Sequence, residues 1–427
     1  MIFALVVVLI YLVQRFWFLK AWYWIGTLTS SALLANSLRA LLIALVVLLF
    51  AAILNPFFGR FLSRFSVGQL IVTFASLWII TSLFGFIAVK SVDGIESLVT
   101  LVARFRGGAA TANFDPARRT FFHYAALVAG SLPFIATTYG FAAGRLRYKV
   151  ERIDVPILNL PKELDGLRIA QLSDIHIGSY MPPHEIARAV EMANDLDPHL
   201  SVVTGDFISS RGDPLETCID ELSKLKAPLG VWGCNGNHEI YAEAEDAAER
   251  LFQQKEMRLL RAQSAVIQHN GASFNLIGVD YQRDRMVSGG STGPMLHEIE
   301  SQVRRDMPNI LMSHNPNSFP RAAQLGIELS LAGHTHGGQV KVEIVDHTVT
   351  PARLITPFVA GLYHLPMGQL SAISRQPSTT SHNVQPLATS NGRAKSALYV
   401  NRGLGTFGFP VRLGVPPEIT LLTLRRA

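Results

Sequence analysis

The chain has 427 residues, of which 49% are hydrophobic and 16% charged, and its formal net charge is +6. Positive mean hydropathy at this length excludes a single small soluble domain and indicates membrane spans joined to a soluble part. The basic residues are scattered and many flank apolar segments, which fits membrane anchoring better than nucleic-acid binding. Two cysteines, Cys218 and Cys234, cannot make a disulfide framework. Residues 1–144 read as a membrane region with about four helices, over 2–24, 40–58, 69–89 and 121–143. The first is short in apolar residues but ends in an interface-type patch, with Arg15, Trp17, Trp22, Tyr23 and Trp24. A cleaved signal peptide is the alternative there, without a clear small-residue cleavage site. The last span is weakened by Gly130, Pro133 and Gly140, and 95–105 is expected as a short amphipathic surface helix.

With four spans, Arg15, Lys20, Arg39, Lys90, Arg104, Arg106, Arg118 and Arg119 share one side. Arg60 and Arg64 lie opposite, with the C-terminal domain. The positive-inside rule then puts that domain of a multi-pass protein outside the cytoplasm. Arg145, Arg147, Lys149 and Arg152 argue the other way, unless they belong to the first strand of the soluble domain. The sequence 117–122, with Arg118-Arg119-Thr120-Phe121-Phe122, resembles a twin-arginine export signal; ordinary positive helix flanks are the plain alternative.

From residue 145 the pattern changes. A strand or hairpin is expected over 146–158, then short apolar runs over 167–172, 199–204, 229–234, 274–279, 309–313 and 328–332. Helical patterns fill the gaps, for example 183–195 and 242–254, so 145–427 reads as an α/β domain. A polar stretch at about 367–393 is expected as a flexible insertion, after which 397–400 and 419–424 return to strand patterns.

The strand ends carry the chemistry. In chain order they read Asp174-Ile175-His176, Gly205-Asp206, Gly236-Asn237-His238-Glu239, Ser313-His314 and Gly333-His334-Thr335-His336. In α/β sheets the carboxyl ends of strands form the ligand crevice. One such histidine alone would more often be a core residue paired to a carbonyl; five groups together are a site. Imidazole, carboxylate and amide oxygen without thiolate suit Mn, Fe, Zn or Co. Asp174, His176, Asp206, Asn237, His314, His334 and His336 are too many ligands for one ion and fit two divalent ions sharing a carboxylate. Such a pair makes a hydroxide that attacks phosphorus, and a protonated histidine can serve the leaving oxygen.

This ordered set resembles the calcineurin-like metallophosphoesterase family, over roughly 145 to the C-terminus. The resemblance implies a four-layer α/β/β/α sandwich, here preceded by the multi-span helical region. It implies that Asp174, His176, Asp206 and His336 hold one metal, and Asp206, Asn237, His314 and His334 the other. His238 would contact the phosphate and act as acid. The Gly-Gly-Gln after His336, the Asn401-Arg402-Gly403-Leu404-Gly405 run and Pro416-Pro417-Glu418-Ile419 look like membrane-associated bacterial phosphoesterases. Many relatives carry an acid where this chain has Ser209, which puts tuning behind the metal ligands in doubt. Arg402 is a candidate phosphate contact, with a structural salt bridge as its alternative, and Cys234 is expected to pack in its strand. The function expected is a membrane-anchored, metal-dependent phosphoric ester hydrolase acting on a lipid-linked or envelope substrate. The alternatives are a pyrophosphatase like those that cleave UDP-diacylglucosamine in lipid A synthesis and a non-catalytic metal-binding membrane sensor or scaffold.

Overall fold

The computed structural model describes residues 2–54, 66–105, 116–282, 295–344, 347–368 and 395–427. Two compact units divide the chain, Met1–Tyr139 and Gly140–Ala427. The first contains helices α1 (Ile2–Leu28), α2 (Ala32–Leu54) and α3 (Ser66–Phe105), and most of α4 (Pro116–Ala142). Residues 2–24, 40–54, 69–89 and 121–142 of the expected spans are helical, and 55–58 lie outside the described residues. Among the described residues, three stretches are long and apolar enough to cross a membrane: Ala32–Ala51, Val67–Ala103 and Pro116–Leu146.

Residues 95–105 form no separate surface helix; they continue α3. Nothing in that run stops a helix once formed, and one glycine, Gly94, costs only about 1 kcal/mol. Pro133 likewise sits inside α4 without ending it. Within the first unit, the Gln14 side chain donates to Ser82 Oγ at 2.8 Å and accepts from Trp78 Nε1 at 2.8 Å. Trp17 Nε1 donates to the Ser82 carbonyl at 2.9 Å. Such polar pairs let apolar helices recognise one another where burial of apolar surface cannot.

The second unit is built on two six-stranded sheets. One runs β1 (Lys149–Ile157), β14 (Glu418–Arg426), β2 (Arg168–Leu172), β3 (Leu200–Thr204), β4 (Val231–Cys234), β5 (Arg258–Leu259). The other runs β12 (Gly361–Pro366), β13 (Lys395–Val400), β9 (Leu329–Ala332), β8 (Asn309–Ser313), β7 (Ala272–Val279), β6 (Gln263–His269). The strands β2, β3, β4 and β5 are mutually parallel, as are β7, β8, β9 and β13. Their apolar runs are buried throughout because both faces are covered. Ile169, Val202, Trp232 and Cys234 of the first sheet meet Phe274, Ile310, Met312 and Leu331 of the second in one core. Cys234 thus packs in its strand, as expected. Helices α5 (Pro183–Asn194), α6 (Leu215–Leu222) and α8 (Glu245–Gln254) cover the outer face of the first sheet. Helix α9 (Phe319–Leu325) and the turn His297–Gln302 cover that of the second. This is the four-layer α/β/β/α sandwich.

Of the strand or hairpin expected over 146–158, the structure forms a strand, β1, parallel to β14. The helix expected over 242–254 is two, α7 (Asn237–Ala242) and α8, because Glu243 turns left-handed at φ 54° and caps the first. The strands β5, β6 and β12, with a small β10–β11 pair (Val342–Ile344, His347–Val349), had no periodic signature strong enough to read. The insertion expected at 367–393 lies, from 369 onward, outside the described residues.

Candidate metal centre

Five strand ends deliver the site: those of β2, β3 and β4 in one sheet, and of β8 and β9 in the other. Beneath it, Gln171 Nε2 of β2 donates across the sandwich to the Ala332 carbonyl of β9 and to Thr204 Oγ1 of β3, both at 3.0 Å. The loops after β2 and β3 run as a short ladder, Asp174 N to Gly205 O, His176 N to Asp206 O and Ile177 N to Phe207 O. Asp174, His176, Asp206, His334 and His336 hold positive φ angles of 50° to 74°. For residues other than glycine that conformation is uncommon and clusters at functional sites. The glycines around them answer a space requirement: a side chain at Gly333 would overlap Ser173 and Asp174, and one at Gly236 would overlap Asp206.

Six of the seven expected ligands fall into close groups, and the seventh, Asn237, lies at the start of α7, just after β4. Asp174, His176 and His336 form one group whose ligand atoms lie within 4.8 Å of one another, and Asp206, His314 and His334 form another. Asp206 also joins His176 and His238 in a third such group, so it stands between the first two. His336 Nε2 is 3.3 Å from Asp174 Oδ1 and 3.1 Å from His176 Nε2. His314 Nε2 is 3.0 Å from Asp206 Oδ2. Asn237 Oδ1 is buried without a hydrogen-bond partner. Buried polar atoms left this way are expensive unless something satisfies them, and a divalent cation does so. The donor set therefore fits a pair of divalent ions.

The electrostatics agree. Burial pushes Asp174 up to about 6 despite the nearby His314 ring. Burial also pushes Asp206 up, but His314, His176 and His238 together outweigh it and hold that carboxylate below its ordinary range. His176 is lowered to about 4, chiefly by burial, and His336 is lowered as well, by burial and then by His176 and Arg412. Two neutral imidazoles with inward lone pairs are what a cation needs.

Residues 167–338 match the Calcineurin-like phosphoesterase family. The chain carries a calcineurin-like phosphoesterase domain. It is 28% identical over 343 residues to a bovine (Bos taurus) "Transmembrane protein with metallophosphoesterase domain", covering 78% of this chain and 69% of that protein. A zebrafish (Danio rerio) protein of the same name is 28% identical over 69% of this chain and 61% of its own length. "Uncharacterized metallophosphoesterase YkuE" of Bacillus subtilis is 26% identical over 71% of this chain and 94% of its length.

Behind the candidate ligands, the phosphoesterase domain holds the His176, His238 and His314 rings by Nδ1, which fixes tautomer and direction. Thr204 O accepts from His314 Nδ1 at 2.6 Å, and Ser209 O accepts from His238 Nδ1 at 2.6 Å. Ser209 Oγ lies 3.0 Å from His176 Nδ1, so this serine does the supporting work that its replacement of an acid had put in doubt. Of the two roles expected for Arg402, the structure contains the salt bridge: its guanidinium pairs with Glu418 and Glu151.

Sequence reasoning missed three residues. Buried Glu239 accepts backbone N–H bonds from Asp206, Phe207, Ile208 and Gly236, tying the loop after β3 to the start of α7. Its place three residues after Gly236 was the available signal, a capping box. Arg412, fully buried, donates to the carbonyls of Arg402, Gly403 and Gly405 and approaches His336 Nδ1 at 3.4 Å. Phe407 stands over the His176 and His238 rings, with centroids 5.7 and 4.4 Å away. Neither of these last two had a sequence signal.

Proposed function

We propose that this protein is a membrane-anchored, dimetal-dependent phosphoesterase of the bacterial inner membrane. Residues 1–144 serve as its anchor and 145–427 as its catalytic domain. The observation that supports it best is the set of ligand groups that converge on Asp206, with the unpartnered Asn237 Oδ1 beside them. Asp174, His176, Asp206 and His336 hold one ion in this reading, and Asp206, Asn237, His314 and His334 the other. Two such ions supply Lewis-acid charge for phosphoryl oxygens and make water more acidic. His238 directs Nδ1 to the Ser209 carbonyl, and as an imidazolium it would hand its Nε2 proton to the leaving oxygen and remain neutral with its proton on Nδ1. The substrate is a phosphate ester within reach of the bilayer, and the domain faces away from the cytoplasm.

Purified full-length protein with Mn, tested on a panel of phosphate mono- and diesters, checks the reading. Turnover should fall at least about a thousandfold in Asp206→Ala and about a hundredfold or more in His238→Ala. Absence of turnover in the unaltered protein, or full turnover in Asp206→Ala, would sink it. A reporter fused to the C-terminus reads the side of the membrane; a cytoplasmic signal would reverse the orientation.

A further inference from the structure

His238, the residue placed at the leaving oxygen, is flanked by two half-exposed aromatic rings. Phe407 is 49% exposed with its centroid 4.4 Å from the imidazole, and Tyr241 is 53% exposed at 5.9 Å. Phe407 also lies nearly parallel to His176, 29° between planes at 5.7 Å. An apolar ring so exposed beside a buried polar cluster gains little from its own fold. It is, moreover, held there. The Gln339 side chain donates to the Phe407 carbonyl at 2.9 Å and accepts from the Phe407 N–H at 3.0 Å. Both backbone polar groups of Phe407 are thereby clamped by one amide. Gln339 itself sits at φ 56°, at the end of the turn that carries His336. The loop bearing Phe407 is thus registered against the metal-ligand turn.

We infer that Phe407, positioned by Gln339 beside His238, is the wall against which the leaving alcohol rests, and that it selects esters whose alcohol carries an apolar body. This rests on the phosphoesterase reading, because His238 marks the leaving-group side only there. The chemistry is shared by two sources, a lipid chain and an aryl alcohol. A flat ring packs either, but a long alkyl chain gains contact with every methylene whereas an aryl group saturates at one ring.

Binding tests this independently of turnover. Full-length protein in nanodiscs, loaded with Mn, is titrated calorimetrically with butyl-, hexyl- and octylphosphonate in one arm. Phenyl- and naphthylphosphonate form the other arm. Burial of a CH₂ group is worth up to about fourfold in affinity, and a half-open wall should return about twofold for each. Octylphosphonate should then bind about tenfold or more tighter than butylphosphonate. In Phe407→Ala that ratio should fall below about threefold, while Phe407→Leu keeps most of it. Partition of the ligands into the bilayer is common to all variants and cancels in the comparison. Gln339→Ala, which leaves the ring in the chain but frees it, should lose chain-length preference like Phe407→Ala; a residue serving stability alone would weaken all chain lengths equally. A steep alkyl dependence identifies a lipid-type alcohol, and a preference confined to the aryl arm identifies an aromatic one. Equal affinity across both arms, or a slope unchanged in Phe407→Ala and Gln339→Ala, overturns the inference. If phosphonates bind with the expected slope while no ester is turned over, the phosphoesterase reading fails and the apolar wall stands.

Discussion

Ser209 shows how much of a metal site rests on residues that touch no metal. Its hydroxyl faces His176 Nδ1 and its carbonyl holds His238 Nδ1, so one residue orients both a ligand and the proposed acid. The hydroxyl can be removed without disturbing the carbonyl. Ser209→Ala should weaken Mn binding about 10- to 100-fold, the usual cost of losing such support, and should leave the fold intact; a Mn titration beside a thermal melt reads both. Glu239 is a different case, because its carboxylate is the acceptor for four backbone donors. Glu239→Gln turns one side of that acceptor into a donor. It should lower unfolding free energy by about 1–3 kcal/mol, measured by urea denaturation of the metal-free protein. Gly333→Ala should abolish metal binding outright, since the new methyl meets Ser173 and Asp174.

Among the elements, the parallel strands do the placing. Side chains at the ends of β2, β3 and β4 come from one sheet and those at the ends of β8 and β9 from the other, so the site exists only where the two sheets are held in register. Gln171 is the visible tie, bonded to β3 beside it and to β9 across the sandwich. Its own Oε1 has no partner. Replacing it by leucine removes one hydrogen bond from the Ala332 carbonyl, which keeps Asn401 N, and one from the Thr204 hydroxyl, which keeps Ser173, and Gln171→Leu should cost about 1–3 kcal/mol. It should also shift the two metal affinities unequally, a change that metal analysis on partial loading would detect. The long helix α3 makes a separate point. Where the sequence suggested a surface helix after Gly94, continuity of the backbone prevailed, because helix propagation is cooperative and the residues that follow are tolerant of it.

For the whole molecule, protons and metal compete. His314 is lowered by burial but raised more strongly by Asp206 and Asp174, to about 10, and Asp174 is raised to about 6, chiefly by burial. The metal-free domain therefore carries a proton on His314 through neutral pH, and one on Asp174 below about pH 6. Both must leave for a cation to bind. His176 and His336, already lowered, release none there. Mn affinity should rise with pH, about tenfold per unit between pH 6 and 9 for the single proton on His314. Calorimetry in buffers of different ionisation enthalpy counts that proton; affinity flat across this range would contradict the assignment.

The candidate ligands were legible in the sequence because each sits directly after an apolar run, and strand-then-ligand is a local pattern. The apolar helices were legible for the same reason, since twenty or so consecutive apolar residues need no partner to be recognised. The family followed from the order of those local blocks. What the sequence could not show is which polar group faces which. His176 and His336 are 160 residues apart, and His314 and the Thr204 carbonyl 110. The role of Ser209, the pairing of Arg402 with Glu418 and Glu151, and the stand of Phe407 over His238 are all contacts of this long-range kind. They depend on two sheets closing over one core, and that closure is decided by burial of the whole interface, which no short stretch of residues encodes.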